Sequence, residues 1–215
     1  MLPEREVVYA LQTELDRAID RYKDKLKCKQ KIKDESPERW NKFIQSERNK
    51  ITTVASIQMG LLKYRNQIAA MSVDDREDEV HNSTRLGENM RADGIAKPGA
   101  YWEAHAMISG GHTDASFLRS VLAECEVGID DSHNGCWLPT RTKYCGQQPY
   151  PKAVPHSRIH RFNYYRWLAV RFTGIQDKTT MINRLKNVRR DLLNSSFPPE
   201  VMLAKGKWST PYDNV

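Results

Sequence analysis

The sequence predicts a mostly helical α+β protein, and three patterns support that prediction. Stretches near both ends of the chain repeat apolar residues at the three- and four-residue spacing of amphipathic helices. Between them lie two short strand-like segments, with a glycine pair after the first and an Asn-Gly turn before the second. With 215 residues, of which 39% are hydrophobic and 28% charged, the chain is long enough to bury a core and fits a soluble globular protein.

Two amphipathic helices are expected in an N-terminal helical region, residues 1–73. The first covers residues 4–32, where apolar positions alternate with charged ones at helical spacing. Ser36-Pro37-Glu38 supplies an N-cap, a proline at the first helical position and an early acidic residue, so a second helix should begin there. We expect an interruption near Gly60. The two helices are expected to pack as a hairpin, and their apolar stripes show no catalytic motif.

Residues 74–99 lose the apolar period. An acidic run over residues 74–79 is followed by scattered glycine and proline residues, which is typical of a linker or an irregular loop. His81 lies in this polar stretch, where a single histidine is usually solvated, and we assign it no function.

The remaining residues, 100–215, are expected to form a separate domain. Tyr101 to Ile108 reads as a strand, followed by a helix beginning near Asp114. A turn-rich loop then leads into a second strand at Cys136–Pro139. Two further helices are expected, over residues 155–172 and 177–193.

The cysteines and the apolar runs bear on the compartment. Cys28, Cys125, Cys136 and Cys145 form no CxxC pair, so we expect reduced thiols rather than a thiolate metal site or a Cys136–Cys145 disulfide. No run approaches the 18 apolar residues of a membrane span, and the N-terminus lacks the pattern of a secretory signal peptide. The protein is therefore expected to be made in the cytoplasm and to have no membrane partner.

Positive charge is concentrated in the second half of the chain. The formal net charge is +7, of which residues 96–215 carry +6. Residues 140–190 contain 12 basic residues against the single Asp177. A polyanion would be attracted to such a stretch and bound in a salt-sensitive way, although a solvated helical face would look the same.

His105, Asn134, His156 and His160 are the residues with the strongest indication of chemistry. His156 and His160 are four residues apart, so a helix would place both on one face, where they can share a metal ion. His105 at a strand end offers a third nitrogen ligand and leaves coordination positions for a phosphate oxygen and water. Glu103 lies on the same side of the strand and is a candidate acceptor for orienting a ligand histidine.

Asp130 and Asp131 have two interpretations. Paired carboxylates can bind a hard cation such as Mg²⁺. They can also cap the loop before Asn134 through hydrogen bonds to the backbone, which we favour. His133 is expected to complete the same turn.

The order of these motifs resembles a known nuclease family. Ala104-His105-Ala106-Met107-Ile108, then Asn134-Gly135 with Leu138-Pro139, then His156 and His160 followed by Tyr164, is similar to the AHH branch of the HNH/endonuclease VII nucleases. The resemblance covers about residues 100–172. It implies a ββα-metal core in which His105, His156 and His160 hold one divalent ion (Mg²⁺, Zn²⁺, Ni²⁺ or Mn²⁺). Asn134 would constrain the loop and orient the general base.

The same resemblance implies a function. Members of this branch are typically toxin domains of bacterial competition systems that hydrolyse phosphodiester bonds. We therefore expect a metal-dependent DNA endonuclease with little sequence preference. Three arginines are candidates for contacts to DNA phosphates: Arg158, Arg161 and Arg166.

The chain departs from the family pattern at one position. The second histidine of Ala-His-His, the general base, is replaced by Ala106, and a methyl group cannot accept a proton. Loss of a general base is worth roughly 10²–10⁴ in rate, so the chain is expected to bind metal and DNA but to cleave poorly. Three explanations are open: a deliberate His-to-Ala substitution that spares the producing cell, a natural loss of activity, or replacement of the base by His112.

A toxin also implies partners and a route out of the cell. We expect a cognate immunity protein, a possible secretion chaperone or adaptor, and export by a contact-dependent system such as type VI secretion into the cytoplasm of a target cell. The alternative is a non-catalytic nucleic-acid-binding protein in which the histidines hold a structural metal. A structural zinc site normally has four protein ligands, and the sequence offers three.

Overall fold

A computed structural model describes residues 14–29, 33 and 35–204. Within these residues the chain forms seven α-helices and a two-stranded antiparallel sheet, which confirms the α+β class. In chain order the elements are α1 (Glu14–Cys28), α2 (Pro37–Ala70), α3 (Val73–Glu77), α4 (Ser83–Ala92), β1 (Trp102–Ala106), α5 (Ser116–Glu124), β2 (Gly135–Pro139), α6 (Phe162–Phe172) and α7 (Lys178–Asn194). Residues 4–13 of the first expected helix lie outside the described residues.

Helices α1 and α2 pack against each other as the expected hairpin. Between them, Lys25 Nζ donates to Glu47 Oε2 over 2.8 Å. The expected interruption at Gly60 was wrong, because α2 runs unbroken for 34 residues. A glycine lowers the stability of an α-helix by only about 1 kcal/mol relative to alanine. The helical hydrogen bonds on both sides of Gly60 can offset this cost.

The expectation of an irregular loop over residues 74–99 was also wrong. Helices α3 and α4 occupy much of it, and the Asn82 side chain caps α4 by accepting from the backbone N–H groups of Thr84 and Arg85. Leu86 and Met90, one helical turn apart, are fully buried. Two buried apolar residues are too few to show a helical period in the sequence. The reason that this helix forms is therefore visible only in how Leu86 and Met90 pack in the structure.

The two predicted strands are present and form a two-stranded antiparallel sheet. β1 and β2 pair antiparallel, from Trp102 opposite Pro139 to Ala106 opposite Gly135. Gly135 allows α4 to lie close to this sheet, since a Cβ there would stand 2.5 Å from the Met90 sulfur.

The two faces of β1 have opposite characters. Trp102 and Ala106 belong to an apolar cluster with Leu86, Met90 and Trp137, against which Ala104 packs. We call the side of β1 that carries residues 102, 104 and 106 the apolar face. Since side chains alternate along a strand, Glu103 and His105 lie on the other side, the histidine face. β1 therefore separates an apolar layer from a polar one.

The main core lies among α5, α6 and α7. The helix expected over residues 177–193 is confirmed as α7, which Asp177 caps by accepting from the Thr180 N–H. The helix expected from residue 155 begins only at Phe162. Before it come a short 3₁₀ turn, His156–Arg158, and an extended Arg161 with φ −135° and ψ 157°, a conformation that ends any helix running from 155.

The C-terminal end of α2 packs on the loop before β2. The Tyr64 hydroxyl accepts from the backbone N–H of Asp130 over 3.0 Å. Arg65 donates to both carboxylate oxygens of Asp131, over 2.9 and 3.1 Å. Gly128 makes this approach possible, because a Cβ there would stand 2.1 Å from the Tyr64 hydroxyl oxygen. We call residues 128–132 the buttressed loop.

All four cysteines lie within the described residues and are free thiols, as expected from their spacing. None of the helices described combines the length and the apolar character needed to cross a lipid bilayer.

Candidate active site

Three histidines converge on the histidine face of β1. The centroid of the His105 ring is 5.1 Å from that of His156 and 4.7 Å from that of His160. One ligand atom from each residue lies within 4.8 Å of the others. The structure therefore brings together the three predicted metal ligands, which we call the histidine triad.

His156 and His160 reach the site without the helix that their spacing suggested. The 3₁₀ turn at 156–158, followed by Ile159 with φ −93° and ψ −33°, brings the two Nε2 atoms to face each other at 3.2 Å. The Nδ1 atom of His156 contacts Glu103 Oε2 at 2.8 Å. Because a carboxylate accepts, His156 donates from Nδ1 to Glu103, and this contact orients the ring with Nε2 toward the site. The predicted orienting role of Glu103 agrees with this contact.

The other two rings are held in a similar way. His160 Nδ1 is 2.6 Å from the Tyr165 hydroxyl, and His105 Nε2 is 3.3 Å from the Tyr164 hydroxyl. In His156 and His160 a neighbour outside the triad engages Nδ1 and the Nε2 atoms face each other, whereas in His105 a neighbour engages Nε2.

His105 has a nitrogen with no partner. Its ring is fully buried, and Nδ1 makes no hydrogen bond within the described residues. Burial, together with the charges of His160, His156 and His81, lowers the pKa of His105 well below its ordinary value. A buried polar atom without a partner is costly, and a neutral imidazole nitrogen is the form that binds a metal ion.

His160 is also kept neutral. Although the residue is partly open to solvent, desolvation by its neighbours lowers its pKa to about 4, and the charges of His156, His112 and His81 contribute in the same direction. At neutral pH His105 and His160 are therefore uncharged.

These observations fit a divalent cation. Two nitrogens bound tetrahedrally to one ion at about 2.0–2.1 Å lie roughly 3.3 Å apart, close to the 3.2 Å between the facing atoms of His156 and His160. Burial falls from His105 through His156 to His160, so one side of the triad is open to solvent. Three ligands and an open side are typical of a catalytic rather than a structural site.

Asn134 joins the two segments that border the site. Its Oδ1 accepts from the Ile108 N–H over 2.8 Å, and its Nδ2 donates to the carbonyls of Ile108 and Ile129 over 2.9 and 2.8 Å. The side chain is fully buried. It therefore constrains the turn after β1, whereas the orientation of a base by Asn134 stays a prediction.

Ala106 lies on the apolar face, opposite His105. It is 4% exposed and packs in the cluster with Leu86 and Met90. A longer side chain at this position would have to displace these neighbours or extend past the end of the strand. The assignment of position 106 to a general base remains a prediction.

His112 and His133 occupy turns, as their sequence context suggested. His112 Nδ1 accepts from the Asp114 N–H over 3.2 Å, and its ring lies 4.5 Å from that of Tyr165. His133 Nε2 is 3.2 Å from Arg65 Nη2, on the side of the α2 contact.

The loop carboxylates act as caps. Asp131 Oδ1 accepts from the His133 N–H over 2.9 Å, and Asp130 Oδ2 accepts from the Asn82 N–H over 2.9 Å. Burial raises the pKa of Asp131, but its hydrogen bonds and ion pair with Arg65 outweigh burial and hold the pKa below its ordinary value. The interpretation as a cap of the loop before Asn134 is supported for Asp131, whereas the carboxylate of Asp130 binds the segment at the start of α4 instead.

His81 was missed by the sequence reading. It is not simply solvated, since its Nδ1 lies 2.5 Å from Oδ1 of the fully buried Asp130. The two residues are 49 positions apart, and no local pattern pairs them.

The predicted phosphate contacts have different surroundings. Arg158 is exposed, while Arg161 and Arg166 are partly buried. Arg161 Nη1 donates to the Met202 carbonyl over 3.0 Å, so this arginine also anchors the segment after α7. Contact with DNA stays a prediction for all three.

Part of the basic run at 140–190 serves the fold. Arg189 donates to the carbonyls of Gly135 and Ser132 over 2.7 and 2.5 Å, and Arg171 pairs with Asp191 at 2.7 Å. These charges are not free for an external anion.

A groove lies between α4 and β1 and reaches the triad. Glu103 and His156 line its triad end, and Arg91 and Lys97 line it with Trp137. Both cations lie over the Trp137 ring, at 5.8 and 5.7 Å from its centroid. The groove combines positive charge and an aromatic face beside the metal-ligating histidines.

Comparison with known proteins gives one family. The model of a nuclease family of the HNH/ENDO VII superfamily with conserved AHH matches residues 86–194. Comparisons with curated proteins and with solved structures give no match. The matched span includes the triad, Asn134 and Ala106.

Proposed function

Because the chain belongs to the AHH nuclease family of the HNH/ENDO VII superfamily, we propose that it is a metal-dependent endonuclease that hydrolyses DNA. The observation that carries this proposal is the triad of His105, His156 and His160, in which one ligand atom from each residue lies within 4.8 Å of the others.

These residues have distinct tasks in the proposed reaction. His105, His156 and His160 would hold one divalent ion, which supplies stabilisation for the negative charge that develops on the phosphate. Glu103 fixes the His156 ring through Nδ1. Asn134 holds the turn after β1 in place. The identity of the ion, among Mg²⁺, Zn²⁺, Ni²⁺ and Mn²⁺, is left to experiment.

DNA is proposed as the substrate because basic side chains surround the site. Arg158 is exposed two residues from His160, and Arg161 and Arg166 follow it. On the other side, Arg91 and Lys97 line the groove that ends at His156. Such charges contact phosphates and read no base edges, so cleavage should be largely independent of sequence.

Position 106 sets the proposed level of activity. Ala106 cannot accept a proton, so this chain should cleave more slowly than one with histidine there, by roughly 10²–10⁴ for a full general-base contribution. A His-to-Ala substitution that protects the producing cell would have this result.

We propose a role in competition between bacteria. A DNase of this kind needs a cognate immunity protein in the producing cell, acidic where it meets the basic surface. A contact-dependent secretion system, with a chaperone or adaptor, would deliver it to the cytoplasm of a target cell.

A plasmid assay tests the central proposal. Supercoiled DNA is incubated with this chain and with Ala106→His, each in Mg²⁺, Mn²⁺, Ni²⁺ or Zn²⁺, and calorimetry measures metal binding in parallel. Ala106→His should nick the plasmid, and His105→Ala in the same background should not. Absence of nicking by Ala106→His with metal bound would overturn the nuclease proposal.

The alternative, a non-catalytic nucleic-acid-binding protein with a structural metal, is less well supported. Among the described residues, the group that can hold a metal contains three histidines, and one side of it is exposed. A closed structural site requires a fourth ligand.

A further inference from the structure

Two tyrosine rings are stacked at the start of β1. The centroids of the Tyr101 and Tyr144 rings lie 4.1 Å apart, and the ring planes are 4° from parallel. Lys143 Nζ lies over the Tyr144 ring, 4.9 Å from its centroid. Because Tyr101 covers one face of Tyr144, the lysine covers the other. Tyr101 is 53% exposed, so this tyrosine stack is closed at its Lys143 end and open to solvent at its Tyr101 end.

The tyrosine stack lies on the histidine face of β1. The Thr140 N–H donates to the Tyr101 carbonyl over 2.9 Å, which continues the pairing of β1 and β2 by one residue. Burial alternates along this stretch, since Tyr101 and Glu103 are exposed and Trp102 between them is buried. Side chains alternate along a strand, so Tyr101 is on the same side as Glu103 and His105.

A short distance along the strand separates the tyrosine stack from the histidine triad. A strand rises about 3.3 Å per residue, so the backbone of Tyr101 is about 13 Å from that of His105. Glu103 lies halfway between them, and its carboxylate contacts His156 of the triad at 2.8 Å. Even at duplex spacing, about 3.4 Å per nucleotide, roughly four nucleotides bridge this distance. One bound strand can therefore reach both places.

The surroundings of the tyrosine stack are positively charged. Arg141 and Lys143 are exposed on the turn that carries Tyr144, and the sequence has no acidic residue between Asp131 and Asp177. The groove between α4 and β1 adds two further cations beside the triad. Sites for unpaired nucleic acid combine these two features, because cations follow the backbone while bases stack on aromatic rings.

We propose that the open face of Tyr101 stacks one unpaired base of the DNA, so that the histidine face binds a single strand in preference to a duplex. This inference rests on the proposed endonuclease function, whose substrate class it narrows. In a duplex each base is covered by its neighbours, and exposing a base requires unstacking, which costs free energy. Every base has a π face, so stacking adds affinity without a sequence preference.

Tyr101→Ala tests the proposal through binding rather than cleavage. Fluorescence anisotropy in EDTA measures the dissociation constant of a labelled oligothymidylate, which is unpaired throughout. Loss of one stacked base should raise this constant by about 5- to 150-fold. The salt slope of log K should stay the same, because no charge is removed. Tyr101→Phe keeps the ring and should bind within a few-fold of this chain.

Phe117→Ala is the matched control, because Phe117 is also an aromatic residue with an exposed side chain, 49%, but lies on α5. It should leave the dissociation constant of the oligothymidylate unchanged. Relaxed, covalently closed plasmid, used as a competitor, reports the affinity for duplex DNA, and Tyr101→Ala should not alter it. An equal loss of affinity for plasmid and oligothymidylate would overturn the preference for an unpaired strand.

Two other outcomes would also overturn the proposal. If the tyrosine stack serves only to hold the turn at 142–144 on β1, Tyr101→Ala will lower the melting temperature and leave the oligothymidylate affinity unchanged. If an oligouridylate binds more tightly than the oligothymidylate, with the same loss in Tyr101→Ala, the stack belongs to an RNA site and not to a DNA site.

The binding assay and the plasmid assay separate this inference from the function on which it rests. If Ala106→His nicks the plasmid while Tyr101→Ala binds the oligothymidylate as tightly as this chain does, the inference fails and the endonuclease proposal stands. If Tyr101→Ala loses affinity for the oligothymidylate but Ala106→His does not nick with metal bound, the endonuclease proposal fails and the base-stacking site stands.

Discussion

The two faces of β1 differ in the kind of side chain that each carries. On the histidine face, His105 has a buried Nδ1 without a partner among the described residues, beside two histidine rings that neighbours orient. On the apolar face, Ala106 is 4% exposed within a packed cluster and bears no polar group. The comparison teaches that the proposed metal ligand and the position proposed for the proton acceptor are adjacent in sequence but lie in separate surroundings, so a substitution at one need not disturb the other.

The largest effect is expected on the histidine face. His105→Ala removes the deepest ligand, and calorimetry should show metal affinity lower by at least about 100-fold, since even the loss of a residue that only orients a ligand costs 10–100-fold. Cleavage should disappear with it. Ala106→Val, on the opposite face, should leave metal affinity unchanged. Equal loss in both variants would remove the distinction between the faces.

Glu103→Gln should have the next largest effect. An amide in place of the carboxylate weakens the hold on His156 Nδ1, so we expect a 10–100-fold lower metal affinity with little change in stability, because Glu103 is exposed. The Asp114→Asn variant, a carboxylate change away from His156, is the control. Unchanged affinity in Glu103→Gln would show that the His156 ring is fixed by other contacts.

The apolar face should respond in stability rather than in metal affinity. Ala106→Leu adds volume beside Leu86 and Met90, and overpacking of a filled core typically costs about 1–3 kcal/mol. Urea unfolding with a metal titration measures both quantities. A Leu variant as stable as the parent would mean that the cluster has room, and that a histidine at 106 fits without strain.

Acid should destabilise the metal-free protein through the histidine face. The pKa of His105 is lowered in the folded state, so below its ordinary value of 6.5 the unfolded chain binds the proton first. The free energy of unfolding should fall as pH drops below about 6.5, by at most about 1.4 kcal/mol per pH unit for this group, and stay constant above it. Urea midpoints in EDTA at pH 7.5 and 5.5 test this. His105→Asn should make the fall shallower and leave the part that His160 contributes, and an equal slope in that variant would contradict the prediction.

The smallest effect is expected outside both faces. Arg158→Ala should weaken DNA binding a few-fold and reduce the salt slope of log K by about 0.9, the value for one phosphate contact. Fluorescence anisotropy at several salt concentrations measures the slope. Lys42→Ala on α2 is the matched charge control, and an unchanged slope in Arg158→Ala would remove its phosphate assignment.

That His105, His156 and His160 come together could be predicted from sequence because the spacing and order of their motifs are local properties. The same is true of β1, β2 and α7, whose boundaries lie close to their predicted positions. The start of α6 could not be predicted from the sequence, because a spacing of four residues between two histidines is compatible with a helix as well as with the 3₁₀ turn at 156–158. Helix α4 is stabilised by packing under Trp102 and Trp137, and His81 acquires its partner Asp130 only through the tertiary fold.

The contacts of the buttressed loop bear on which residues are needed for the nuclease region to fold by itself. Tyr64 and Arg65, both on α2, satisfy the backbone N–H of Asp130 and the carboxylate of Asp131, and neither residue lies within the span 86–194. A protein trimmed to that span would leave a buried carboxylate and an amide without their partners, beside the residue that contacts His81. The smallest autonomous nuclease in this chain should therefore extend upstream of its recognisable motif, into a helix whose own sequence shows no chemistry.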